Sequence, residues 1–103
     1  MPTYEEAIVY LGIDYPDDEV TRQNVERCLE TAKKTLLGAV GEDAETYLPG
    51  DERLKELALI YTDDLYSQRG LAAKVSNATR LLVSTMELQL RMDLRKAREE
   101  AGV

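Results

Sequence analysis

Three acidic clusters are the residues of this chain best suited to chemistry: Asp17, Asp18 and Glu19, then Glu42, Asp43 and Glu45, then Asp63 with Asp64. Grouped carboxylates bind cations or share a proton only when burial or a dedicated partner shifts their pKa values. The spacing argues against that in each case. Neighbouring side chains at the start of a helix diverge around its axis. Residues 41–45 carry acids without the ligand order or spacing of a calcium loop. Asp63 and Asp64 fall on a helix, with Lys55, Arg69 and solvent as their natural company. Nucleophilic chemistry fares no better, because Ser67, Ser76 and Ser84 have no histidine anywhere in the chain to activate them. The glycines are isolated, so no loop cradles a phosphate. With no histidine and a single cysteine, zinc coordination and histidine-based catalysis are ruled out. The expectation is a protein with no catalytic residues, no metal and no cofactor.

The aromatic residues are all tyrosines: Tyr4, Tyr10, Tyr15, Tyr47, Tyr61 and Tyr66. Tyrosine joins apolar area to a hydroxyl that reaches a wet rim, which suits half-buried interface positions. Tyr10 and Tyr61 are assigned to covering a small core. Tyr66, beside Ser67, Gln68 and Arg69 at a helix end, is the interface candidate. Arg69 has three available roles: capping the last carbonyls, pairing with an acid of its own subunit, or reaching a neighbour's acidic face.

The elements that must position these groups are helices. Thr3 with Glu6 makes a capping box, Ala7, Ile8 and Leu11 form a short apolar face, and Gly12 ends it. Residues 13–16 read as a turn because Pro16 restricts its predecessor. Asp17, Asp18 and Glu19 open a second helix, at the end where carboxylates complement the dipole. Its buried stripe is Val20, Asn24, Val25, Cys28, Leu29, Ala32 and Leu36, and Gly38 or Gly41 closes it. Cys28 on that stripe reads as a small buried hydrophobe. A polar loop spans 42–50, with Pro49 and Gly50 as breakers. Asp51 then caps a third helix running to about Arg69, on which Leu57, Ala58, Tyr61, Leu65 and Tyr66 recur at three- and four-residue steps. Gly70 stops it, a connector covers 70–75, and Ser76 or Asn77 caps a fourth helix reaching Arg98. No repeat, low-complexity tract or linker divides the 103 residues, so one domain is expected over 1–103. The fold expected is all-α: a small bundle of four helices, one short and three longer.

Charge narrows the partners. The net charge is −7, and residues 1–50 hold 11 acids against 4 bases, while residues 76–103 hold 4 against 5. Tight duplex binding needs a basic face, which this balance does not supply. No apolar run approaches the ~20 residues of a membrane span, and the amino-terminal segment lacks a signal-peptide pattern. A soluble, intracellular protein is the expectation.

The last helix carries more apolar residues than one neighbour could cover. Leu81, Leu82, Val83, Met86, Leu88, Leu90, Met92 and Leu94 occupy much of its circumference, whereas a helix on one surface shows a single stripe. Either this is a central helix contacted on several sides, or it is shared with an adjacent subunit. For 81–86 the two readings stand level. For 88–94 the shared reading is preferred, because Arg91, Arg95, Lys96 and Arg98 alternate with the hydrophobes. Tyr66, Arg69, Leu88, Arg91, Met92 and Arg95 are the candidate interface residues.

The ordered series of motifs resembles a known family. It comprises Tyr10, Leu11, Gly12, Ile13 and Asp14 at the first helix end, then Pro16, Asp17, Asp18 and Glu19. Thr31, Ala32, Lys33 and Lys34 follow, then Ala58 to Tyr61 and Tyr66 to Arg69, and finally Leu88, Gln89, Leu90 and Arg91. This series, spanning about Thr3 to Arg91, is similar to the small head–tail connector (adaptor) proteins of long-tailed bacteriophages and prophages. The resemblance implies a structural subunit that forms a homo-oligomeric ring beneath the portal protein, usually twelve-fold in the virion. Such a ring extends the DNA channel, docks the stopper or tail-completion protein, and lets genomic DNA pass without sequence-specific binding. It is made in the host cytoplasm and resides at the head–tail junction. An acidic lumen would repel passing phosphates. The chain departs from the family pattern in its longer, charged tail, Lys96 to Val103, expected to be flexible or to order on assembly.

Two other classes compete. A small helix-turn-helix protein for DNA packaging or regulation could be built from the third and fourth helices, although the connector is long for that motif and only Arg80 stands ready to read bases. An enzyme of unrecognised type is the more distant third.

Overall fold

The computed structural model describes residues 1–67 and 77–102. Within them the chain forms five helices and no strand: α1 (Tyr4–Leu11), α2 (Glu19–Val40), α3 (Ala44–Tyr47), α4 (Glu52–Ser67) and α5 (Asn77–Glu100). The all-α expectation is met. The Gly70 stop, the 70–75 connector and the Ser76 cap lie outside the described residues.

Local signals set the helix ends. Thr3 Oγ1 accepts from the Glu6 amide while Glu6 Oε1 accepts from the Thr3 amide, completing the capping box. Gly12 closes α1 with φ 68°, and the amide of Ile13 reaches back to the Ile8 carbonyl. Asp18 caps α2 by accepting from the Thr21 amide at 3.0 Å. Of the two glycines offered as the end of α2, Gly41 is the cap. Asp51 accepts from the Arg53 amide at 2.9 Å at the start of α4. The expected loop over 42–50 contains a helical turn, α3, whose Ala44 is fully buried. Four residues are too few for periodicity to reveal a helix.

The scaffold is the α2–α4 pair, the most extensively packed pair of helices; α1 lies on both, and α5 lies on α2, α3 and α4. Two apolar clusters sit along this pair. One joins Leu36, Val40, Ala44, Leu54, Leu57, Ala58, Leu90 and Leu94, gathering α2, α3, α4 and α5. The other joins Ala7, Ile8, Val25, Leu29 and Leu59, seating α1. Thr62 is buried, and its hydroxyl donates to the Ala58 carbonyl at 2.6 Å. A radius of gyration of 14.7 Å, against about 13 Å for a compact domain of this size, marks an elongated body. Among the described residues, no helix is long and apolar enough to cross a membrane.

Two placements correct the sequence reading. Val20 is exposed, because the buried stripe of α2 begins only at Val25, beyond the first turn. Tyr10 is also exposed, since α1 turns Ala7 and Ile8 to the core and Tyr10 away from it. Tyr61 does cover the core, half-buried against the larger cluster.

Candidate functional site

The apolar surplus of α5 resolves into two opposed stripes. Val83, Met86, Leu90 and Leu94 follow one another at three- and four-residue steps and face the larger cluster, with Leu90 at 0% and Leu94 at 1% exposure. Leu81, Leu88 and Met92, separated by seven and four residues, lie about half a turn away. They are 70%, 51% and 62% exposed. A helix with one partner has one stripe. α5 has two, and among the described residues one is packed into the core while the other is exposed.

This division corrects the shared reading of the 88–94 segment. Leu90 and Leu94 are core residues, because α2, α3 and α4 meet around them. Leu88 and Met92 form the outward face. At the other positions, Leu82 is exposed while Val83 and Met86 pack inward.

Polar contacts fix the orientation of α5, and thus the direction in which the second stripe points. The Arg98 guanidinium grips the Asp43 carboxylate with two nitrogens, Nε at 2.8 Å, tying the end of α5 to the turn before α3. Arg53 of α4 bridges Asp51 at 2.7 Å and Asp93 of α5 at 2.8 Å. Gly41 lies directly beneath α5, where a Cβ would come within 2.5 Å of Leu94 Cδ2, and its φ of 150° also favours glycine. In the segment expected to be flexible or to order on assembly, α5 continues to Glu100 and Arg98 is held on Asp43.

The candidate residues separate by environment. Leu88, Met92 and Arg95 share the outward face, where Arg95 stands 3.6 Å from Glu99 with both side chains largely in solvent. Arg91 flanks the stripe and donates to the Ala39 carbonyl at 3.4 Å, near the carboxyl end of α2. Tyr66 is half-buried and packs against the α1 cluster of its own chain. Arg69 lies outside the described residues.

Asp18 and Asp43 of the acidic clusters, and Asp51 and Glu6 beside them in the fold, have structural partners. Hydrogen bonding from Arg98 holds Asp43 below the usual carboxylate range, and Arg53 does the same for Asp51. The Thr21 amide lowers Asp18, and the ion pair with Lys55, which ties α1 to α4, lowers Glu6. Asp14, Asp17 and Asp18 border a shallow depression of about 500 Å³ with Tyr15, Pro16 and Thr21. Among the described residues, no group of three or more metal-ligating side chains converges.

A second surface escaped the sequence reading. Val9 and Tyr10 project from α1 and, with Leu59, Glu5 and Glu6, line an open apolar groove of about 430 Å³. Partial burial, then the negative charges of Glu56 and Asp63, raise the Tyr10 phenol above its ordinary value. The signal was present: Val9 and Tyr10 add apolar residues to the side of α1 that Ala7, Ile8 and Leu11 leave open.

The chain matches no protein-family model, no curated protein and no solved structure.

Proposed function

We propose that this protein is a structural head–tail connector subunit, which assembles with copies of itself into a ring beneath the portal of a long-tailed phage or prophage particle. The observation that carries the proposal is the outward stripe of Leu81, Leu88 and Met92, on a helix whose other side packs into the core. Its ring geometry rests on two unlike exposed apolar patches, one on α5 and one on α1. A head-to-tail interface that closes into a ring requires two different complementary surfaces. The resemblance of the ordered motifs from Thr3 to Arg91 supplies the biological setting: a channel extension that docks the stopper or tail-completion protein and passes DNA without reading it. The net charge of −7 supports the last point, since phosphates are repelled rather than bound.

The helix-turn-helix alternative draws less support. The amino-terminal part of α5, which would enter the groove, exposes Leu81 and Leu82 beside Arg80, and bare leucines are poor phosphate neighbours.

Solution mass measured over a concentration series, with electron microscopy of any large species, tests the reading. Concentration-dependent assembly into closed rings, or capture by purified portal-bearing vertices, is expected. A chain that stays monomeric at high concentration and ignores such vertices would sink it. Salt-sensitive DNA binding at micromolar affinity would favour the helix-turn-helix alternative instead.

A further inference from the structure

We infer that the outward stripe of α5 in one copy seats in the α1 groove of the next, so that Leu81, Leu88 and Met92 meet Val9, Tyr10 and Leu59. This assignment rests on the self-assembling connector reading and names the two faces that make the joint.

Three observations converge on this pairing. Both surfaces present apolar side chains to solvent in the single chain: Val9 is 81% exposed above the buried Leu59 that floors the groove, and Met92 is 62% exposed on the stripe. Their flanks are opposite in charge. Arg91, Arg95 and Lys96 border the stripe, with Glu99 paired to Arg95, while Glu5 and Glu6 line the groove, Glu6 paired with Lys55, and the charges of Glu56 and Asp63 reach Tyr10. Opposite flanks draw the two faces into register, whereas a stripe-to-stripe pairing would set two predominantly basic flanks together. Finally, the two patches belong to separate parts of the fold, since α1 is seated on the cluster around Ala7 and Val25, and α5 on the cluster around Leu36 and Leu57. Each copy therefore offers one face while receiving the other, and the joint propagates.

Two single variants and their mixture test the assignment. Leu88→Asp removes the stripe and keeps the groove; Val9→Asp removes the groove and keeps the stripe. Both side chains are exposed, so circular dichroism and melting should match the wild-type monomer. Each variant alone should self-associate at least about tenfold more weakly than wild type. Mixed in equal amounts they should form a one-to-one pair and nothing larger, because one joint of two is intact. A second arm reverses the flanks: Arg95→Glu and Glu56→Arg should each weaken assembly, and combining them in one chain should restore part of it.

The outcomes separate cleanly. If Val9→Asp and Glu56→Arg assemble like wild type, α1 is not the receptor and the pairing is overturned while the connector reading stands. If both single variants fail to assemble and their mixture stays monomeric, the pairing is likewise overturned. If the wild-type chain never associates, the connector reading falls with it.

Discussion

Leu90 and Leu88 are two residues apart on the same helix and chemically identical, yet one is sealed in the core and the other half-exposed. Around Leu90, three helices converge and Gly41 allows α5 to approach closely. Leu88 belongs to neither apolar cluster among the described residues. The contrast teaches that the number of hydrophobes on a helix measures how many partners it needs. Which residues meet which partner depends on where the other helices stand. The inner stripe stabilises the monomer; the outer one has work to do only when something is placed against it.

The sharpest way to test this contrast is to cut both sides equally. Leu90→Ala should destabilise the chain by about 2–5 kcal/mol, read from urea unfolding, because it leaves a cavity among close-packed neighbours. Next comes the close approach under α5. Gly41→Ala should cost roughly 1–3 kcal/mol, since its methyl collides with Leu94 and its backbone is strained. A double-mutant cycle with Leu94→Ala should recover the steric part but not the backbone part; strict additivity would show that Leu94 is not the obstacle.

Acid sensitivity probes the polar ties that aim the helix. Asp43, Asp51, Asp18 and Glu6 are all depressed from ordinary values of 3.8 for Asp and 4.5 for Glu. A carboxylate with a lowered folded pKa contributes stability that is present above its unfolded value and lost as pH falls through the folded one. Stability should therefore hold down to about pH 4.5 and decline below it. Asp43→Asn should flatten that decline and speed amide exchange over residues 95–100; unchanged exchange would mean that Arg98 does not anchor the helix end. The smallest effect belongs to the outer stripe. Leu88→Ala should move monomer stability by no more than about 0.5 kcal/mol, and a larger loss would reassign it to the core.

Much of the fold was legible because its signals are local. The Thr3 and Glu6 box and the Gly12 stop each depend on residues within one turn, and both formed where the sequence placed them; the acids 17–19 marked the start of α2, and the structure makes Asp18 its cap. The stripe of α2 from Val25 to Leu36 was also readable from spacing alone. α3 was missed because one turn has no period, and Thr62 because its buried hydroxyl finds its acceptor within its own helix. Of the candidate residues, Leu88, Met92 and Arg95 were singled out by the apolar surplus of the last helix and are exposed, while the groove at Val9 and Tyr10 was not anticipated. A short helix offers few positions, and which of its sides is free depends on how it settles on α2 and α4.

The sequence by itself determined that this chain is helical, where most of its helices start and stop, and that its last helix carries apolar area beyond the need of one neighbour. Those properties follow from backbone capping and from a 3.6-residue period, which act over a few positions. Only the tertiary structure decided that Leu90 and Leu94 turn inward while Leu81, Leu88 and Met92 turn out. That choice was made by the docking of α2, α3 and α4, by Arg98 on Asp43 and by the bare backbone at Gly41, contacts between residues some fifty positions apart.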